Sequence, residues 1–194
     1  MPKVRPNPSV GALQGKLGGL IYAIRADGEV IVRRAPDYHP EPTPARRANQ
    51  SRFAQATLYV EGLKAQPERY AAYKRAAKAK QKRACNLAMA DYLRPPAIQE
   101  IDPSAYAGFA GQAIRVQATD DFEVSHVEVL IKSESGVVLE QGVAALDDAN
   151  AGQWLYRTMA DVSPGQTVTI EATALDRAGN RAAKTLRHSL PAVL

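Results

Sequence analysis

Six basic residues fall within ten positions of this sequence: Lys74, Arg75, Lys78, Lys80, Lys82 and Arg83. On a helix, positions 74, 78 and 82 share one face, and 75 and 83 flank it. Such a stripe can neutralise phosphates along a nucleic-acid backbone, with Tyr70 and Tyr73 near enough in sequence to stack on bases. It can equally meet an acidic surface on a neighbouring chain, or simply be solvated. No zinc finger, helix-turn-helix or RNA-reading motif accompanies it, so nucleic acid enters as a rival partner rather than the first one.

A second constellation is acidic. Asp120, Asp121 and Glu123 crowd one turn signal, and Asp176 and Asn180 another. Carboxylate and amide oxygens suit a hard cation, which makes these five a calcium candidate. The same residue types also close tight turns on their own backbone. Gly11 to Leu17 has the glycines of a phosphate loop but is one residue short, and Leu17 stands where Ser or Thr must hold magnesium. His39, His126 and His188 are scattered without metal spacing, and Cys85 is the sole cysteine. An internal disulfide and a cysteine-based zinc cage are therefore excluded. No cofactor, no catalytic residue and no enzymatic activity are expected.

The elements that must carry these residues divide by charge. The chain has 194 residues, 45% of them hydrophobic and 6% aromatic, with a net charge of +5. Residues 1–94 hold 18 Lys/Arg against 7 Asp/Glu, while 95–194 hold 7 against 13. The switch from +11 to −6 falls at Arg94-Pro95-Pro96, where two prolines forbid helix continuation. This predicts a domain boundary and three parts: a Pro/Gly-rich arm (1–19), a basic assembly domain (20–94) and an acidic domain (95–194). The two halves should attract, within a chain or between chains. No apolar run approaches the ~20 residues of a membrane helix, and no signal-peptide core follows the first residues. Synthesis in the cytoplasm is expected, with any release by a non-Sec route.

The arm has little that can pack alone, and fifteen extended residues reach about 50 Å, enough to cross to another subunit. Leu20–Arg25 and Val30–Arg34 read as a hairpin about Asp27-Gly28, which pairs Ile24 with Ile31 and Tyr22 with Arg33. Its open edges, with Val4, Leu13, Leu17, Leu20, Tyr22, Ile24 and Ile31, are the candidate assembly surface. Residues 36–44 form a stiff linker, and Thr43-Pro44 starts a helix carrying Phe53, Ala56, Val60 and Leu63 on one stripe. A second helix begins at Pro67, with Tyr70, Tyr73 and Ala77 on one face. The segment 84–93 either continues it or forms a third.

From Ile98 onward the period becomes two: Ile114, Val116 and Ala118; Val127, Val129 and Ile131; Trp154 and Tyr156; Val168, Ile170, Ala172 and Ala174. With edge segments near 98–101, 137–143 and 181–190, about seven strands are predicted at sandwich spacing. The whole chain then reads as α+β: arm, hairpin and helices, followed by an all-β sandwich. Asp176-Arg177-Ala178-Gly179-Asn180 resembles the Asp-x-Ala-Gly-Asn turn of bacterial immunoglobulin-like domains. Thr119-Asp120-Asp121-Phe122-Glu123-Val124 is similar to their B–C region. The resemblance covers about residues 97–190 and implies an immunoglobulin-like fold in which those two loops lie at one end. It implies no function, because such modules serve as spacers, adhesins and particle surfaces alike. The Leu13–Gly19 and Asn49–Phe53 stretches resemble small bacterial proteins that offer no function to transfer.

Together these features predict a non-enzymatic structural protein that assembles with itself into a filament, virion or injection-type particle. A nucleic-acid-packaging protein and an adhesin or glycan-binding module are the alternatives.

Overall fold

The structure, a computed structural model, describes residues 3–4, 14–24, 30–35, 41–147 and 149–192. Its contacts divide the chain into two compact units, Met1–Arg47 and Ala48–Leu194.

The first unit is an antiparallel sheet of β1 (Lys3–Val4), β2 (Gly15–Leu17), β3 (Leu20–Ile24) and β4 (Val30–Arg34) in the order β1-β4-β3-β2. Two pieces of the expected free arm thus pair with strands of their own chain. Leu17 faces Leu20 across Gly18-Gly19, and Gly18 takes a φ of 58°, which glycine adopts without penalty. The register of the expected hairpin differs by one residue. Ile24 pairs with Val30, Ala23 with Ile31 and Tyr22 with Val32. Five residues separate Ile24 from Val30, an odd number, so the register cannot centre on the Asp27-Gly28 pair. Residues 25–29 themselves lie outside the described residues. A one-residue slip exchanges the faces. Leu17, Leu20, Tyr22, Ile24, Val30 and Val32 therefore share one side, and Ile31 lies on the other.

Helices α1 (Pro44–Lys64), α2 (Pro67–Ala79) and α3 (Ala84–Leu93) follow the periodicity closely. Thr43 caps α1: its Oγ1 accepts from Arg46 N at 3.3 Å, and its carbonyl accepts from Arg47 N at 2.9 Å. Phe53 departs from expectation, being 56% exposed, because the stripe is covered only from Ala56 through Val60 and Leu63. Gln81, with φ 51°, breaks α2 from α3 and settles the third helix as separate. Tyr73, Ala77, Leu87 and Ala88 close with Val60 and Leu63 into one apolar cluster, and Phe122 from the β-half packs against it. No helix among the described residues is long and apolar enough to cross a membrane.

The remainder is a β-sandwich. One sheet orders β5 (Ala97–Ala105), β6 (Ala113–Thr119), β10 (Gln153–Arg157) and β9 (Ala145–Leu146) as β5-β6-β10-β9. The other orders β7 (Val124–Ser133), β8 (Val138–Val143), β11 (Thr167–Asp176) and β12 (Arg181–Ser189) as β12-β11-β7-β8. Central β11 buries Val168, Ile170, Ala172 and Ala174, alternating with half-buried residues, as a strand flanked on both edges should. The helices and sandwich belong to the same compact unit, so Arg94-Pro95-Pro96 marks a change of secondary structure rather than a break in packing. Charge composition changes there, and each layer keeps its own apolar cluster, with Phe122 of the β-half packing on the helical one.

Trp154 and Tyr156 both point into the sandwich core, as alternation requires. The indole Nε1 is buried without a hydrogen-bond partner among the described residues, so Trp154 contributes through its area alone. Trp154→Ala is expected to lower unfolding free energy by about 3–5 kcal/mol. Trp154→Phe should recover most of that, because it removes the unpaired N–H together with part of the ring. Urea unfolding of the two variants checks the order.

Candidate functional site

Helix α3 runs Ala84-Cys85-Asn86-Leu87-Ala88-Met89-Ala90-Asp91-Tyr92-Leu93, with a single acid among apolar residues. Leu87, Ala88 and Asp91 share the inward face at i, i+1 and i+4, so folding the helix onto its apolar side takes the carboxylate with it. Asp91 is 0% exposed. Its Oδ2 accepts from Tyr73 Oη at 2.5 Å, and Tyr73 Oη lies 3.0 Å from Tyr59 Oη. Since Tyr73 gives its one proton to Asp91, Tyr59 is the donor between the two phenols. The Tyr73 ring stacks on Phe122 with centroids 4.0 Å apart.

Two sandwich loops complete the site. Between β6 and β7, Asp120 Oδ2 accepts from Phe122 N (2.8 Å) and Glu123 N (3.2 Å), the tight-turn chemistry expected of it. Between β11 and β12, both oxygens of Asp176 are held by Asn180, from its backbone N and its Nδ2, each at 2.7 Å. Gly179 makes that turn possible with φ 97°, a conformation side chains resist. Asn180 Nδ2 also donates to Asp91 O at 2.8 Å and reaches Tyr92 O at 3.2 Å. Arg52 of α1 donates to Leu93 O at 2.9 Å. The last carbonyls of α3, the negative end of its dipole, are thereby satisfied by donors from both layers.

One carboxylate oxygen from each of Asp91, Asp120 and Asp176 lies within 4.8 Å of the other two. Asp91 Oδ1 and Asp120 Oδ1 are buried with no hydrogen-bond partner among the described residues. The nearby cations are engaged elsewhere: Arg94 pairs with Asp121 and Arg177 with Glu123, each at 3.0 Å, and Lys80 donates to the Asp121 carbonyl. Burial is the main force on Asp91, and the neighbouring Asp120 and Asp176 add to it; the Tyr73 hydrogen bond pulls the other way, and the carboxyl ends near 7.

Of the calcium candidates, then, Asp120 and Asp176 converge, whereas Asp121 and Glu123 form ion pairs at the rim. Asn180 serves as a donor to its own turn and to α3. Asp91 is the member that sequence reasoning missed, although a lone acid on the apolar face of a helix is a readable signal.

The basic residues Lys74, Arg75, Lys78, Lys80, Lys82 and Arg83 are all exposed. Lys74 Nζ sits 5.2 Å from the Tyr70 ring centroid. Tyr73 is buried and committed to Asp91, so it is not available for base stacking.

On the N-terminal sheet, Leu17, Leu20 and Ile24 are 64%, 40% and 38% exposed, and Tyr22 and Ile31 are half-buried. Val4 pairs through its backbone with Val30; Leu13 and His39 lie outside the described residues. Gly15-Lys16-Leu17 is a strand rather than a phosphate loop. His188 Nε2 contacts Tyr106 O at 2.8 Å, His126 is half-buried, and Cys85 Sγ lies 3.6 Å from Asn86 Oδ1.

Asp91 generates a pH dependence. Its folded value near 7 lies above the ordinary 3.8, so between these limits the native state holds more protons than the unfolded one. Its contribution to stability is thus full at the acid end and is lost as pH rises through about 7. In chelator-treated buffer, urea midpoints of the wild type should fall from pH 5 to pH 8, and Asp91→Asn should flatten that slope. An unchanged slope in the variant would assign the effect to other groups.

No protein-family model and no curated protein matches this sequence. Among solved structures, CopC from Methylosinus trichosporium OB3b is similar over 51% of this chain and 96% of its own, at 12% identity and a TM-score of 0.39. An engineered protein aligns over 51% of this chain and 20% of its own, at 25% identity and a TM-score of 0.35. A lipoprotein from Bacteroides thetaiotaomicron aligns over 50% and 78%, at 18% identity and a TM-score of 0.24.

Proposed function

We propose that this is a non-enzymatic structural protein that assembles with copies of itself through its N-terminal sheet and displays an immunoglobulin-like module. The observation that carries the reading is the part of one sheet face that is left uncovered beside the buried Val30 and Val32. Leu17, Leu20 and Ile24 share it with Tyr22 and remain exposed, where a sheet with its own full core would cover them. The sheet edges support the same reading. Among the described residues β1 pairs with Val30 and Ile31 of β4 alone, and β2 is three residues long, so strands from a neighbour can extend or replace them.

The module is read from strand order. β5-β6-β10-β9 facing β12-β11-β7-β8 corresponds to A-B-E-D facing G-F-C-C′, the arrangement of immunoglobulin sandwiches, with the chain changing sheets at Ala144. The exposed basic stripe favours a second reading, nucleic-acid packaging, in which the six cations lie along phosphates.

Light scattering coupled to size-exclusion chromatography tests both. The wild type should elute as an assembly free of nucleic acid, and Leu20→Asp combined with Ile24→Asp should elute as a folded monomer with unchanged circular dichroism. A wild type that is monomeric at high concentration overturns the assembly reading. A high 260 nm absorbance ratio supports packaging instead. Where contacts between the basic and acidic halves contribute, raising salt from 0.1 M to 1 M should loosen the assembly, as the Debye length falls from ~10 Å to ~3 Å.

A further inference from the structure

We propose that Asp91, Asp120 and Asp176 bind a calcium ion at the point where α3 meets the β6–β7 and β11–β12 loops. The donor set is all oxygen, which selects a hard cation over zinc or copper. Calcium binds oxygen at about 2.3–2.6 Å, so two ligands of one ion lie at most about 4.6–5.2 Å apart. The three carboxylate oxygens, within 4.8 Å of one another, fall inside that span.

The cluster alone would not make a site; its unpaired oxygens do. Asp91 is fully buried, yet no donor among the described residues reaches its Oδ1 or that of Asp120, and the two carboxyls can hydrogen-bond to each other only when one of them holds a proton. In each case the other oxygen is pinned, by Tyr73 Oη on Asp91 and by Phe122 N and Glu123 N on Asp120. Asp176 is oriented by Asn180 from two directions. This is the outer-shell support that ligating carboxylates characteristically carry. Among the described residues no ion pair reaches any of the three, so their mutual repulsion is otherwise relieved only by protons. A divalent cation neutralises two of the three charges and joins the helical layer to both loops at once. Water supplies the remaining ligands of a six- to eight-coordinate ion.

The test uses the full-length protein after chelator treatment. Titration with CaCl2 by calorimetry should show one site with a Kd between about 10⁻⁵ and 10⁻³ M. The thermal midpoint should rise by about 5–10 °C at a hundredfold excess over Kd. Asp91→Asn should abolish the midpoint shift, and Tyr73→Phe should weaken binding about 10- to 100-fold. Should Asp91→Asn fail to fold, terbium luminescence sensitised by the adjacent Tyr73 in the wild type, displaced by calcium, reads the same site. Absence of binding heat and of any midpoint shift at 10-fold the upper Kd overturns the proposal. So does a shift reproduced by NaCl at equal ionic strength, or one retained in Asp91→Asn.

Discussion

A carboxylate that water cannot reach must be compensated by what surrounds it, and Asp91 recruits that compensation from every layer of its unit. Tyr73 donates from α2 and Tyr59 supports Tyr73 from α1, while Asp120 and Asp176, arriving from the sandwich loops, add like charge that the site must also answer. Asn180 reaches past the acid to hold the main chain that carries it. Magnitudes decide which contacts matter. Arg94–Asp121, with the arginine 71% exposed, belongs to a class worth about 0–1 kcal/mol. Stripping the partner from a buried charge costs about 3–5 kcal/mol. The helices stay on the sandwich because of the Asn180 amide and the Tyr73–Phe122 stack, with the rim pairs adding little and the acids of the two layers repelling one another.

The two units leave opposite deficits. The N-terminal sheet turns apolar side chains outward, at Leu17, Leu20 and Ile24, where water penalises them. The helix–sandwich unit turns acids inward, where the protein interior penalises them. An exposed apolar face is relieved by another surface, whereas buried like charges are relieved by a small cation or a proton. A partner chain and an ion are therefore different answers to different shortages, and neither substitutes for the other.

Most of the framework was legible in the sequence because periodicity reports burial directly. Trp154 with Tyr156, and Val168 through Ala174, lie inward as alternation requires, and Pro44 and Pro67 open the helices they were expected to open. Phe53 misled because a stripe says which face is apolar and not how far along the helix its cover extends. The hairpin register failed because Asp27-Gly28 is a turn signal whose loop length the flanking strands decide. The charge switch at Arg94 reports where helix gives way to strand because composition is local, whereas the contacts that cross it, Asn180 to Asp91 and Phe122 to Tyr73, join residues too far apart in sequence for composition to show. Two of the three acids in the cluster were readable for the reverse reason: Asp120 and Asp176 sit in turn motifs, while Asp91 hides in a helix whose other residues account for its burial.

The hydrogen bond from Asn180 to the Asp91 carbonyl spans 89 residues of sequence. Ribosomes add about 5–20 residues per second, so α3 leaves the ribosome roughly 4–18 seconds before the turn that caps it exists. During that interval its final carbonyls and its buried acid lack their partners from β11 and the turn beyond it. Closing so long a loop also lowers the folding rate relative to a local helical hairpin. The helical layer is thus the first part of its unit to be synthesised, yet it waits for the turn before the final strand, β12, to be completed.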